Sequence, residues 1–452
     1  MDIPSYKSVY GRQSSATTRS ALRCHNKLFG AVTAVLATVG LLVVGAGNAS
    51  AKPALHATSH ITLTEEDYWG SQPQEGAFNW LFSTYEKTHP NVTITRDIVP
   101  GAELTSKVLS QAQTHTLPDI VVNDNPYVPQ DWATGGFVAL NSYLSKWGQW
   151  SSYLPGSQAI TTVHGIVDAI QIGAVDLLMF YNKAIFAKAG ITTVPTTWSQ
   201  LYTDSQKIMS KVKGLTYGAI SFGASSESNC SGGWQFEPWL LSAGAKLSVP
   251  DMTAPGTVAA LSLWVKLVKN GLATKSVLSM CQSTNLPWLE EGSVAMIEDG
   301  TWDLATVESN HAYPSKMIGF FKMPVESPAD KAGTPLGGEN WEIAKNNPAT
   351  EQAAWNFLEW SQQPKILLEF DNMMDYIGVR SPVYEEQASQ NKALMPFVQE
   401  LSGGASRTQY LGANYGTYST DMADAIGYAI LGEETPLAAL QAAQKQVKET
   451  IG

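Results

Sequence analysis

The chain has 452 residues, with 29 basic and 40 acidic side chains, a net charge of −11, and 44% hydrophobic against 15% charged residues. That length holds two or three ordinary domains or two large lobes, and that balance buries a sizeable core, which excludes a wholly disordered chain. An acidic chain with no basic patch interleaved with aromatics repels polyanions, so nucleic acid is excluded as a partner.

The amino end carries Lys7, Arg12, Arg19, Arg23 and Lys27, then 19 uncharged residues from Leu28 to Ala46, then Ala49-Ser50-Ala51. Basic, apolar and small-residue regions in that order read as a secretory signal peptide over residues 1–51. The apolar run is also long enough for an uncleaved membrane anchor, and both readings stand. The segment holds five basic residues and one acid, so 24 basic and 39 acidic residues remain beyond it, a net charge of −15. Cys24 falls within it. Cys230 and Cys281 remain, either as a disulfide or as two free thiols. A bond between them closes a loop of about 50 residues and stabilises by roughly 4 kcal/mol in the chain-entropy view.

Ile61-Thr62-Leu63-Thr64 alternates as a strand does. From Gln74 to Lys87, Phe78, Leu81, Phe82 and Tyr85 share one helical face, and Pro90 stops the helix. Val92 to Val99 is rich in β-branched residues, Gly101 opens a further helix, and Asp119 to Val122 forms a short apolar strand. Ala174 to Tyr181 reads as a strand. Thr197-Trp198-Ser199-Gln200 fits a capping box, with Thr197 bonding forward and Gln200 reaching back. Val258, Leu261, Val265, Val268 and Leu272 mark a helix face, and Ala295 to Ile297 a strand. Trp341 to Ala344 is another strand, followed by a helix through Trp355 and Leu358. The last helix opens at Thr435-Pro436 and is expected to bury Leu437, Leu440, Val447 and Ile451. Alternating strands and helices predict an α/β fold with a mostly parallel sheet. No internal repeat or low-complexity tract marks a stalk or adhesin.

Four segments resemble one family. Leu117 to Val122, the block Leu177 to Gly190 with Val194 to Trp198, Glu291 to Met296 with Asp299 to Trp302, and Gly337-Gly338 with Ala353 to Leu358 occur in its order. The chain resembles the extracellular solute-binding proteins of ABC importers, in the sugar-binding group that includes maltose-binding protein. The resemblance spans nearly all of residues 60–452. It implies a two-lobed periplasmic-binding-protein-like fold of type II, with a ligand cleft between lobes joined by hinge strands. Residues 60–170 and 320–372 would form one lobe, and 171–319 and 373–452 the other. Crossings are expected near Ile170–Val175, Gly319–Met323 and Asn372–Ile377. The implied ligand is a sugar or oligosaccharide, the implied partner an importer permease, and the implied location the periplasm or the outer face of the cytoplasmic membrane. Membrane contact would come only through the importer or an amino-terminal anchor. Gram-positive relatives carry a lipidated cysteine just after the apolar run. This chain departs from that pattern, since Cys24 precedes the run.

Binding a sugar requires flat aromatic platforms for its C–H faces and a few fixed polar groups for its hydroxyls. Loops past the carboxyl ends of strands line the crevice in α/β sheets. Trp69 follows the first strand. Asp124 and Asn125 follow Val121-Val122, with Tyr127 three residues on; turn chemistry alone also explains Asp and Asn there. Trp234 and Glu237 open a segment after Gly232-Gly233, and Trp239 does not share a helical face with Trp234. Asp299 and Trp302 follow the Ala295–Ile297 strand. Glu339, Asn340 and Trp341 follow two glycines that allow close backbone approach. Tyr415 stands in a glycine-flanked stretch. Arg380, near the third crossing, is expected to pair with an acid across the hinge. No metal or cofactor site is expected.

A hydrolase is the rival class. Glu290-Glu291 and Glu298-Asp299 are adjacent in sequence, and neighbours do not flank one scissile bond. Ala219-Ile220-Ser221-Phe222-Gly223 lacks the first glycine of a nucleophile elbow, and no H-E-x-x-H occurs. No catalytic residue is therefore assigned.

Overall fold

Alternating β-branched and polar residues at Ile61–Asp67 (β1) and Val92–Ile98 (β2) form two parallel strands, with Ile61 opposite Val92. The structure, a computed structural model, describes residues 60–452 apart from 227–231, 283, 305–306, 308–316, 391–393, 402–403 and 452. The expected signal or anchor segment and Cys230 lie outside the described residues.

Ile120–Asp124 (β3) joins β1 on its other side, also parallel. Thr162–Val163 (β4) and Ile166–Val167 (β5) make a small hairpin. Ala169–Gln171 (β6), Leu177–Asn182 (β7), Ile220–Ser221 (β8), Met296–Gly300 (β9), Ile318–Phe321 (β10) and Glu339–Ile343 (β11) complete the strands. They assemble into two main sheets. The first has the order β2-β1-β3-β11-β6, with β11 antiparallel to both neighbours. The second has the order β10-β7-β9-β8, with β7 antiparallel to β9 and β10 and only β8 parallel to β9, so the sheets are mixed rather than mostly parallel as the strand–helix alternation predicts.

Helices cover both sheets, and one buried cluster runs from Leu63, Val122 and Trp341 of the first sheet to Leu178, Phe180 and Ile297 of the second. The helix Gln74–Thr88 lays Phe78, Leu81, Phe82 and Tyr85 on the first sheet, as its periodicity predicts. The helix Pro348–Ser361, capped by the Asn347 side chain on the Ala349 and Thr350 N–H groups, adds Phe357 and Leu358. Trp341 of β11 is fully buried among Phe78, Phe82 and Phe357, at ring distances of 5.4–6.4 Å. Edge-to-face geometry there adds about 1 kcal/mol per pair beyond the area removed from water. Around the second sheet, Phe222 stacks on Trp264 at 3.9 Å, and the helices Gly232–Leu241, Pro255–Lys269 and Tyr415–Leu431 close over it.

Three local expectations change. Thr197 does cap Trp198–Lys211 by accepting from the Gln200 N–H at 3.3 Å, but the Gln200 side chain reaches one residue further back, to the Thr196 N–H at 2.8 Å. In the last helix, Pro436–Ile451, Leu440 and Val447 are buried while Leu437 and Ile451 are exposed. The helix touches its neighbours over a narrower stripe than its apolar residues suggest. Finally, Gly319 to Phe321 is no crossing: it pairs with β7 inside the second sheet. Between the sheets, Val175 bridges to Gly337 and Ala174 to Ile377, so the second crossing is formed where β11 is approached, at Gly337.

Candidate ligand site between the lobes

β1 ends at Asp67, β3 ends at Asp124, and antiparallel β11 begins beside them with Glu339 opposite Asp124. β6 ends at Gln171; the chain then crosses and starts β7 at Leu177, opposite Gly300, the last residue of β9. The two sheet edges thus meet across residues 172–176. Between them lies a cavity of about 320 Å³, lined from both sides. That size is at the lower end of small-molecule sites, roughly 300–1,000 Å³.

Five sequence-expected residues line it: Trp69, Asp124, Trp234, Trp302 and Glu339. Tyr68, Tyr376, Gln282 and Arg407 join them. The aromatics form two walls. On the first lobe, Trp69 lies 5.0 Å from Tyr68 and 6.4 Å, edge-on, from Tyr376. On the second, Trp234 and Trp302 lie 5.4 Å apart. Trp302 folds back over Gly300, where a β carbon would stand 2.1 Å from its ring. The indole N–H groups of Trp69 and Trp234 have no hydrogen-bond partner among the described residues, so each wall holds a donor that a guest can satisfy.

The polar floor is acidic. Tyr68 and Tyr376 each donate a phenol O–H to one oxygen of Glu339. Burial, then the nearby Asp124 charge, pushes Glu339 up to about 7, against the pull of the two phenols. Asp124 keeps 29% of its side chain exposed. Desolvation by the walls still holds it above the usual carboxylate range, with Arg407 pulling the other way.

Arg407 joins the two lobes. Its Nη1 donates to both Asp124 oxygens at 3.2 and 3.3 Å. Its Nε and Nη2 donate to the Tyr415 hydroxyl at 2.9 and 2.7 Å, and that hydroxyl donates to Glu237 at 2.6 Å. The guanidinium also lies over the Trp234 and Tyr415 rings, at 5.0 and 4.5 Å. Burial pushes Glu237 up to about 7 despite Arg407 and Tyr415.

The remaining expected residues stand behind the cavity. Glu237 and Tyr415 are buried and act through Arg407. Asn125 and Asn340 are buried and bonded to each other at 2.8 Å, and Asn125 holds the backbone of Leu336 and Gly338. Tyr127 packs toward Gly416. Asp299 turns back onto the Gly300 N–H at 2.9 Å. Trp341 shares a strand face with Glu339 but lies two residues deeper, over the core. Gly338 adopts φ 112, and a β carbon there would stand 2.2 Å from the Gly173 carbonyl, so the expected close approach is real. Cys281 lines the cavity and is disulfide-bonded; its expected partner lies outside the described residues. Arg380 pairs with no acid among the described residues. It donates to Ser152, Gln149 and the Gln362 carbonyl and lies over Trp147.

Away from the cavity, Asp131, Asp168 and Glu342 are buried in the first lobe. Burial pushes Asp131 up to about 7 and Asp168 to about 8. Glu342 is likewise raised, by burial first and then by the neighbouring Asp131 and Asp168. Among the described residues no group of three His, Cys, Asp or Glu side chains is placed to hold a metal ion, and no helix is long and apolar enough to cross a membrane.

Residues 80–396 match the family model of bacterial extracellular solute-binding proteins. A Brucella abortus (strain 2308) protein, whose name goes no further than a binding protein, is 22% identical over 317 residues, 70% of this chain and 74% of that one. The cyclic α-maltosyl-1,6-maltose binding protein of Arthrobacter globiformis superposes with a TM-score of 0.73 and 25% identity, covering 85% of this chain and 97% of its own. Maltose-bound T. maritima MalE3 superposes at 0.77 with 17% identity, covering 86% and 100%. A Thermotoga lettingae solute-binding protein bound to α-D-tagatose superposes at 0.75 with 20% identity, over 86% and 100%.

Proposed function

The chain belongs to the bacterial extracellular solute-binding protein family, and we propose that it captures a sugar or short oligosaccharide between its lobes and hands it to an ABC importer without altering it. The observation that carries this reading is the pair of aromatic walls, Trp69 with Tyr376 and Trp234 with Trp302, facing one cavity whose Glu339 is held by two phenols and whose Asp124 is paired with Arg407. Indole and phenol faces stack on pyranose C–H groups, and carboxyl and guanidinium groups bond the hydroxyls. An uncharged ligand fits because Arg407 is already engaged by Asp124 and Tyr415. A guest that touches both walls favours lobe closure by its differential affinity.

Thermal-shift titration with glucose, maltose, maltotriose and trehalose tests this directly. A carbohydrate that binds only the native state raises the melting temperature with concentration. No shift across the panel, or a sugar recovered cleaved, overturns the proposal. Small-angle scattering at saturation checks closure through a smaller radius of gyration.

A further inference from the structure

Two charged residues that do not line the cavity hold one of its walls. Asp67 ends β1 and Arg96 stands in β2, where Glu65 is its register partner. Asp67 is fully buried, and 9% of the Arg96 side chain is exposed. The Arg96 guanidinium forks onto the Asp67 carboxylate, its Nη2 donating at 2.8 Å. The same Nη2 donates to the Trp69 carbonyl at 2.7 Å, while the Trp69 N–H donates to Asp67 Oδ1 at 2.6 Å. Both peptide groups of Trp69 are thus tied to one ion pair. The Phe78 ring backs the guanidinium at 4.8 Å, and Glu65 approaches its Nε at 3.9 Å.

We infer that Asp67 and Arg96 are positioning residues that fix the backbone from which the Trp69 indole projects and thereby set ligand affinity without touching ligand; the affinity half of this statement rests on the carbohydrate reading above. The clamp requires a planar fork. A lysine keeps the charge but presents a point donor that cannot hold Asp67 and the Trp69 carbonyl in one plane. Without the clamp the wall residue must be ordered at each binding event, which weakens affinity on the order of tenfold.

The test uses the full chain labelled with 5-fluorotryptophan, the Trp69 resonance being identified by its loss in W69F. R96K and D67N should broaden or split the Trp69 ¹⁹F line and leave the Trp234 and Trp302 lines in place. An unchanged Trp69 line in R96K overturns the inference, as does a disturbance of all indole lines together, which marks a merely structural pair. Titration with the bound carbohydrate of the panel supplies the second arm. R96K should weaken binding about tenfold in the natural background and add nothing in W69A. An equal loss in W69A overturns the positioning role. If no carbohydrate binds the natural chain, the carbohydrate reading falls, and the ¹⁹F arm still decides the clamp.

Discussion

Arg96 and Arg407 are both buried cations, each bonded to an acid and laid on an aromatic face, yet they stand in opposite structural situations. The partners of Arg96 all belong to the first lobe, among them Asp67, Glu65, the Asn79 side chain, the Trp69 carbonyl and Phe78. Arg407 takes Asp124 from the first sheet and Tyr415, Glu237 and Trp234 from helices over the second. The same chemistry makes a fixture in one place and a join in the other. A contact inside one lobe survives lobe motion, whereas the Asp124–Arg407 pair at 3.2 Å is stretched by any separation of the sheet edges.

The largest expected effect comes from deleting each cation. Arg407→Gln and Arg96→Gln each leave buried acids unpaired and should cost about 3 kcal/mol or more in urea unfolding. The comparison predicts a difference in pH response. The Arg407→Gln penalty should shrink toward pH 5, where Glu237 is protonated, and an equal penalty at pH 5 and pH 8 would break that account. Trp302→Ala should weaken carbohydrate binding at least tenfold, since a lost stacking face removes on the order of 1.4 kcal/mol; calorimetric titration reads it, and unchanged affinity removes Trp302 from the wall.

A smaller effect concerns acidity. Asp131, Glu339 and Glu237 are pushed up to about 7 and Asp168 to about 8, above the unfolded carboxylate range near 4. The folded state therefore holds protons that the unfolded chain has released. Their stabilisation is complete below about pH 4 and is lost as pH rises through 7 to 8. Melting temperature should fall between pH 5 and pH 8, and Asp168→Asn should flatten that slope. A melting temperature that rises over this range contradicts the assignment. The smallest effect sharpens the comparison itself. Arg407→Lys should raise the radius of gyration of the ligand-free chain by a fraction of an ångström, while Arg96→Lys leaves it unchanged; identical scattering curves would equate the two arginines.

The strands and helices were legible because their signals are local: the Phe78–Tyr85 stripe, the Thr197 cap and the two glycines before β11 each act within a few residues. Trp69, Asp124 and Trp302 were legible because they sit where strands end, and Glu339 because it follows Gly337-Gly338 at the start of β11. Tyr376 and Arg407 were not, because no pattern around them announces which distant groups they meet. Trp341 and Glu339 show the remaining limit. Both belong to one strand face, and only the depth of the helices above separates a core indole from a cavity acid.

Gly338 has a consequence for how this molecule diversifies. Its φ of 112, and the 2.2 Å at which a β carbon there would meet the Gly173 carbonyl, leave no space for any side chain, and Gly173 itself is closed in by Asp371 and Tyr376. Backbone lies against backbone beside the cavity, so substitutions that retune the guest can accumulate on the surrounding walls while this point of contact stays fixed. New specificities should arise in descendants by exchanging indoles, phenols and acids around a contact that admits no variation.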